Sequence, residues 1–155
     1  PETGQPFRQD DRIYRMDMME DRGRTMEEEE LTEKIIGCAM KAHRTLGCGF
    51  LESVYQKALL HELKKAGIEA TEAVPLKVFY DEETVGDFFA DIVVEGKVIV
   101  ENKAVESLCA AHEAQVVNYL TATGLNVGLL FNFGTPKLEF KRKHRIYRKS
   151  KGPLP

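Results

Sequence analysis

The stretch that decides the fold is Phe88-Phe89-Ala90-Asp91-Ile92-Val93-Val94-Glu95-Gly96-Lys97-Val98-Ile99-Val100-Glu101-Asn102-Lys103. Two apolar runs flank Glu95-Gly96, a pair suited to a tight hairpin turn. Side chains alternate along a strand, so Glu101 and Lys103 share one face of the second run. An acid and an amine ending a buried strand are costly unless paired or bound. The hairpin turns Asp91 towards them. Two carboxylates beside a lysine suit a Mg²⁺ or Mn²⁺ ion, which takes oxygen ligands and keeps waters or substrate phosphates. The Asn102 carbonyl is a third candidate oxygen, and Lys103 is positioned to orient or deprotonate a water or to stabilise phosphorane charge. The competing reading is a buried acid–lysine ion pair.

Upstream, two helices are expected. Thr25 and Glu28 form a capping box, and Leu31, Ile35, Ala39, Ala42 and Leu46 recur with helical spacing up to the break at Gly47-Cys48-Gly49. A second helix spans about 51–66, with Leu51, Val54, Tyr55, Ala58, Leu59 and Leu63 inward. His43, near the first helix's end, is read as a helix cap. Glu52, in the second helix's first turn, either complements the helix dipole or supplies a third acid to the metal. Strands are expected at about 68–80, 84–94 and 97–103, then a helix at 110–123 and a nearly all-apolar, hence central, strand at 127–133. Gln115 and Tyr119, four apart, share a helix face and suit a phosphate, a base or the lysine, with His112 one turn before. The order predicts an α/β sandwich: a mixed sheet whose first three strands form a meander, with flanking helices.

The 155-residue chain has 43% hydrophobic and 30% charged residues, as a globular protein with a real core does. No apolar run spans a bilayer and no secretory h-region is present, which predicts a cytoplasmic protein with no membrane partner. Cys38, Cys48 and Cys109 match no zinc spacing and read as reduced thiols. The net charge of −3 hides an asymmetry: residues 1–30 carry ten acids and five bases, residues 137–155 eight bases and one acid. Residues 1–28 are expected to be a disordered or extension segment. Residues 135–155 are expected to be a basic tail able to track a phosphate backbone.

These residues carry a resemblance. Gly49-x-x-Glu52-x-x-Tyr55, the His43–Gly47 approach, the Asp91 strand, Val94 to Glu101, Lys103-Ala104-Val105 and His112-Glu113-Ala114-Gln115 together resemble the GxxExxY proteins, a branch of the PD-(D/E)XK nuclease superfamily. The resemblance covers about 29–134. Gln115-x-x-x-Tyr119 resembles a helix motif of the RecB-like part of that superfamily. Two positions depart from the pattern: Asn102 stands where an apolar residue is common, and Ala90 stands where a proline precedes the acid. The resemblance implies a restriction-endonuclease-like sandwich over 29–134. It makes Asp91 and Glu101 metal ligands, Lys103 catalytic and Glu52 the supporting acid. The function implied is Mg²⁺-dependent hydrolysis of phosphodiesters in nucleic acid, DNA first. A nucleic-acid-binding or assembly module with little turnover, or a hydrolase of small phosphorylated molecules, are the alternatives. Homo-oligomerisation stays open.

Overall fold

The computed structural model describes residues 11–146, with side chains described from residue 27 onward. Helix α1 (Asp11–Leu46) leads into α2 (Glu52–Lys65), then strands β1 (Ala70–Tyr80), β2 (Glu83–Val94) and β3 (Val98–Lys103). Helix α3 (Ala110–Thr123) crosses to β4 (Val127–Asn132), and β5 (Glu139–His144) closes one five-stranded sheet in the order β1-β2-β3-β4-β5. All neighbours are antiparallel except β3 and β4, joined through α3. This is the mixed-sheet α/β architecture that the element order predicts.

Local chemistry sets each connection. The hairpin turns hold consecutive residues at positive φ: Asp81 and Glu82 at 47° and 69°, Glu95 and Gly96 at 53° and 63°. That backbone twist matches the right-handed twist of the flanking strands. Glu95 tolerates it because it is tied to Glu69 twice, through its own N–H to the Glu69 carbonyl at 2.8 Å and through its carboxylate, which accepts the Glu69 N–H at 2.8 Å. Strand β4 is buried at every position, as its apolar sequence requires for a central strand.

One core fills the space between the sheet and α1 and α2, around Ile35, Tyr55, Leu59, Val100, Leu129 and Phe133. A smaller core lies under α3, where Val116 and Leu120 meet Ile99 and Leu130. Fully burying such a side chain contributes about 1.5–3 kcal/mol. The close approach of α3 depends on Gly128, where a Cβ would sit 2.6 Å from a Val116 methyl.

Four local expectations change. Helix α1 begins at Asp11, so the Thr25–Glu28 capping box lies inside a helix; the Arg-, Glu- and Met-rich residues expected to be disordered or an extension are good helix formers. Leu51 is the N-cap of α2 and 77% exposed, not inward. His43 is buried and bonds the Thr135 carbonyl at 2.9 Å, tying the end of α1 to the β4–β5 connection. The segment expected to be a basic tail begins with an ordered strand: Leu129 pairs with Arg142, and Lys143 forms a 3.1 Å ion pair with Glu113 on α3. The remainder of that segment, 147–155, and residues 1–10 lie outside the described residues.

Candidate active site

The site forms where two strands part. Strands β2 and β3 pair at Val94–Val98, Val93–Ile99 and Ile92–Val100, and there the ladder stops. Continuing that register would set Asp91 opposite Glu101. Their side chains take over the bonding instead. Glu101 Oε1 accepts the Asp91 N–H at 3.0 Å, and Asp91 Oδ2 accepts the Asn102 N–H at 2.8 Å. Each acid satisfies a backbone donor that the parting strands would leave unpaired.

This reciprocal clasp has an electrostatic consequence. Glu101 is only 2% exposed, and its carboxyl is pushed up to about 8. Burial is the largest cause and the Asp91 charge the second, opposed by the Asp91 N–H and the Lys103 charge. Two acids in a dry fork resist simultaneous ionisation.

Lys103 extends from the face that carries Glu101. It is half-buried and makes no ion pair among the described residues, so the buried acid–lysine pair does not form. Its backbone is fixed by two residues that sequence reasoning passed over. The Lys103 carbonyl accepts the Phe133 N–H at 2.8 Å. The buried Asn132 amide then clamps the next turn of chain: Oδ1 accepts the Val105 and Gly134 N–H groups, and Nδ2 donates to the Val105 carbonyl, all at 3.0 Å. Gly134 lies so close that a Cβ there would strike the Val105 backbone. The available signal was a polar residue closing an otherwise apolar strand, with glycine two places on.

The Gly49-x-x-Glu52-x-x-Tyr55 spacing has a local cause. Gly49 sits at φ 113°, which side-chain-bearing residues rarely adopt. The Tyr55 hydroxyl donates to the Gly47 carbonyl at 2.6 Å and accepts the Phe50 N–H at 3.2 Å. Its ring stacks on Phe133 at 4.8 Å. Glycine bends the loop, tyrosine locks it, and Glu52 opens α2 beyond. Partial desolvation raises the Glu52 carboxyl first and the Asp91 charge second, with Lys103 opposing. Because Glu52 is exposed overall, solvent screens this shift. Tyr55→Phe is expected to keep the stacked ring, lose the loop anchor, and cost about 1–3 kcal/mol in urea unfolding; an unchanged midpoint would show that the hydroxyl anchors nothing.

On α3, Gln115 Nε2 donates to the Tyr119 hydroxyl at 3.1 Å. Burial raises the Tyr119 hydroxyl most, Gln115 lowers it, and the Glu101 and Asp91 charges raise it again. His112 is occupied elsewhere: its Nδ1 accepts the Cys109 N–H at 3.1 Å and caps α3. The Asn102 side chain lies 3.5 Å from Gln56 on α2, so only its backbone belongs to the fork. Its Oδ1 is buried without a partner among the described residues.

The sequence profile of the PD-(D/E)XK nuclease superfamily matches residues 29–143, from the side-chain-described part of α1 into β5. The chain belongs to the PD-(D/E)XK nuclease superfamily. A solved structure described as "Crystal structure of SSO0001" is similar, with a TM-score of 0.50 and 16% identity over 62% of this chain. The chain spans about half (52%) of that structure's length, and the likeness is one of fold. Comparison with curated proteins gives no match.

PD-(D/E)XK nucleases generally use divalent metals. The donor set of this member fits one: two hard oxygen donors on one fork, one of them held protonated near neutrality first by burial and then by its neighbour's charge. Among the described residues no group of three or more Asp, Glu, His or Cys gathers around one point. Glu52 therefore stands within electrostatic reach of the pair without forming a three-residue cage. Mg²⁺ and Mn²⁺ suit such a two-carboxylate site, since they retain waters, whereas zinc prefers His and Cys.

Proposed function

We propose that this superfamily member is a Mg²⁺- or Mn²⁺-dependent nuclease that hydrolyses phosphodiester bonds in nucleic acid, with DNA as the leading substrate. The observation that carries the reading is the Asp91–Glu101 clasp at the strand fork, with the Lys103 amine beside it and held in no ion pair. Within the superfamily, the Gly49–Glu52–Tyr55 spacing supports assignment to the GxxExxY proteins. The three free cysteines, Cys38, Cys48 and Cys109, suit a reducing cytoplasm.

Asp91 and Glu101 would hold the ion, with the Asn102 carbonyl as a further oxygen. Bound there, the ion supplies positive charge against the scissile phosphate and lowers the pKa of a coordinated water. Asp91 keeps Glu101 in register through its N–H. The Lys103 ammonium donates to a non-bridging phosphate oxygen, where negative charge grows as water oxygen bonds to phosphorus and the P–O bond to the leaving group breaks. Glu52, whose charge couples to Asp91 and Lys103, would supply a carboxylate to order the attacking water. Tyr119, steadied by Gln115, faces the same space and can donate to phosphate.

The test is metal-dependent cleavage of single- and double-stranded DNA and RNA by the full chain. Mg²⁺-dependent product formation that EDTA abolishes is expected. Metal-independent binding with no cleavage of any substrate would favour a binding module built on the nuclease fold.

A further inference from the structure

Beyond the point where β3 leaves β2, the β1–β2 hairpin continues as a two-stranded ribbon without a third strand. Helix α3 covers part of one face, where Phe88 approaches Tyr119 at 5.8 Å. The rest is open. Phe79, Tyr80 (70%), Val85 (61%), Phe88 and Phe89 (62%) are exposed, half of the ten exposed large hydrophobic residues among the described residues. An isolated ribbon is marginal in water, and Tyr80, Val85 and Phe89, which cross-strand pairing and alternation place on one face with Glu83 and Asp87, form an apolar patch that marks an interaction surface.

Its charge narrows the occupant. Residues 77–89 carry Asp81, Glu82, Glu83 and Asp87 against Lys77, a net −3. That sign repels phosphate, so a nucleic acid backbone or an anionic membrane fits poorly. The complement lies on the opposite edge of the same sheet. Residues 137–146 carry five bases and one acid, a net +4, and β5 with its flank exposes Lys141 and Arg142 beside Phe140 and Ile146. The two surfaces match in apolar character and oppose in charge. They occupy the β1–β2 hairpin and β5, at opposite ends of the strand order.

We infer that the ribbon of one chain docks on the β5 edge of a second copy, and that reciprocal docking closes a two-fold dimer. Each chain gives its acidic aromatic arm and receives its partner's, so the contact is self-complementary and closed. The inference rests on neither metal binding nor cleavage.

Sedimentation equilibrium of the full chain tests it. The expected species has twice the 17.6 kDa monomer mass. Glu83→Lys/Asp87→Lys on the arm and Lys141→Glu/Arg142→Glu on β5 are each expected to weaken the homodimer about tenfold or more. Mixed together, the two variants should form a heterodimer of near-wild-type affinity, because both contacts become complementary again. Circular dichroism melts check that each variant folds, and Tyr80→Ser, also expected to weaken the dimer, serves if a charge variant does not. A monomer at all concentrations, a mass that grows past the dimer, or a mixture that fails to recover association would overturn the proposal.

Discussion

Lys103→Ala is expected to lower cleavage by about 10²–10⁴-fold while Mn²⁺ binding survives within several-fold. The amine sits one side-chain period beyond Glu101 on the same strand face, yet pairs with neither acid. Its charge does lower the Glu101 carboxyl's preference for the proton, so its loss should weaken the clasp's negative charge slightly. Against that, a cation no longer repels the incoming metal. These effects on metal affinity oppose each other, whereas stabilisation of charge on the phosphate has no substitute. Calorimetric Mn²⁺ titration beside a single-turnover cleavage assay separates them. If affinity and rate fell together by the same factor, Lys103 would act only through the carboxylates.

The second large effect concerns pH and stability without metal. Glu101 titrates near 4.5 when unfolded and is pushed up to about 8 in the fold. A raised folded value means that the folded protein holds this proton more tightly than the unfolded chain does. The resulting contribution is fully present below about pH 4.5 and is lost progressively as pH rises through about 8. The gap corresponds to an upper bound of about 5 kcal/mol. Glu101→Gln mimics the protonated acid and keeps an oxygen for the Asp91 N–H. The metal-free variant should therefore be the more stable protein above about pH 8, by up to a few kcal/mol. It should also lose most of the stabilisation that Mn²⁺ gives the wild type. Thermal melts of both proteins from pH 5 to 9, with and without Mn²⁺, measure this directly. A variant that is less stable than wild type at high pH without metal would contradict a buried, charge-burdened Glu101.

Much of the core architecture was legible because its signals are local. Period-two alternation, the Glu95-Gly96 turn and the nearly all-apolar 127–133 run carry the meander and the central strand. Asp91, Glu101 and Lys103 stand out as charges on apolar strands, and the fold joins the first two through the Asp91 N–H, which the Glu101 carboxylate accepts. What escaped the sequence depends on distant partners. Strand β5 reads as a basic tail because an edge strand exposes most of its side chains and needs no apolar period. Helix α1 extends past its apolar period, beginning at Asp11, because residues of high helical propensity precede that period. Asn132 looks like an ordinary strand end until Val105 is found 27 residues away in sequence, bonded to it twice. His43 and His112 each have a structural task, one tying α1 to the β4–β5 connection and one capping α3, that only the coordinates reveal.

The proposed chemistry requires that the Asp91–Glu101 fork hold a divalent cation. Isothermal titration of Mn²⁺ into the wild-type chain and into Asp91→Asn/Glu101→Gln tests it most directly. The prediction is one site per chain in the wild type, with proton release near pH 7 as Glu101 ionises, and no detectable binding in the double variant. Equal Mn²⁺ affinity in the two folded proteins would contradict it.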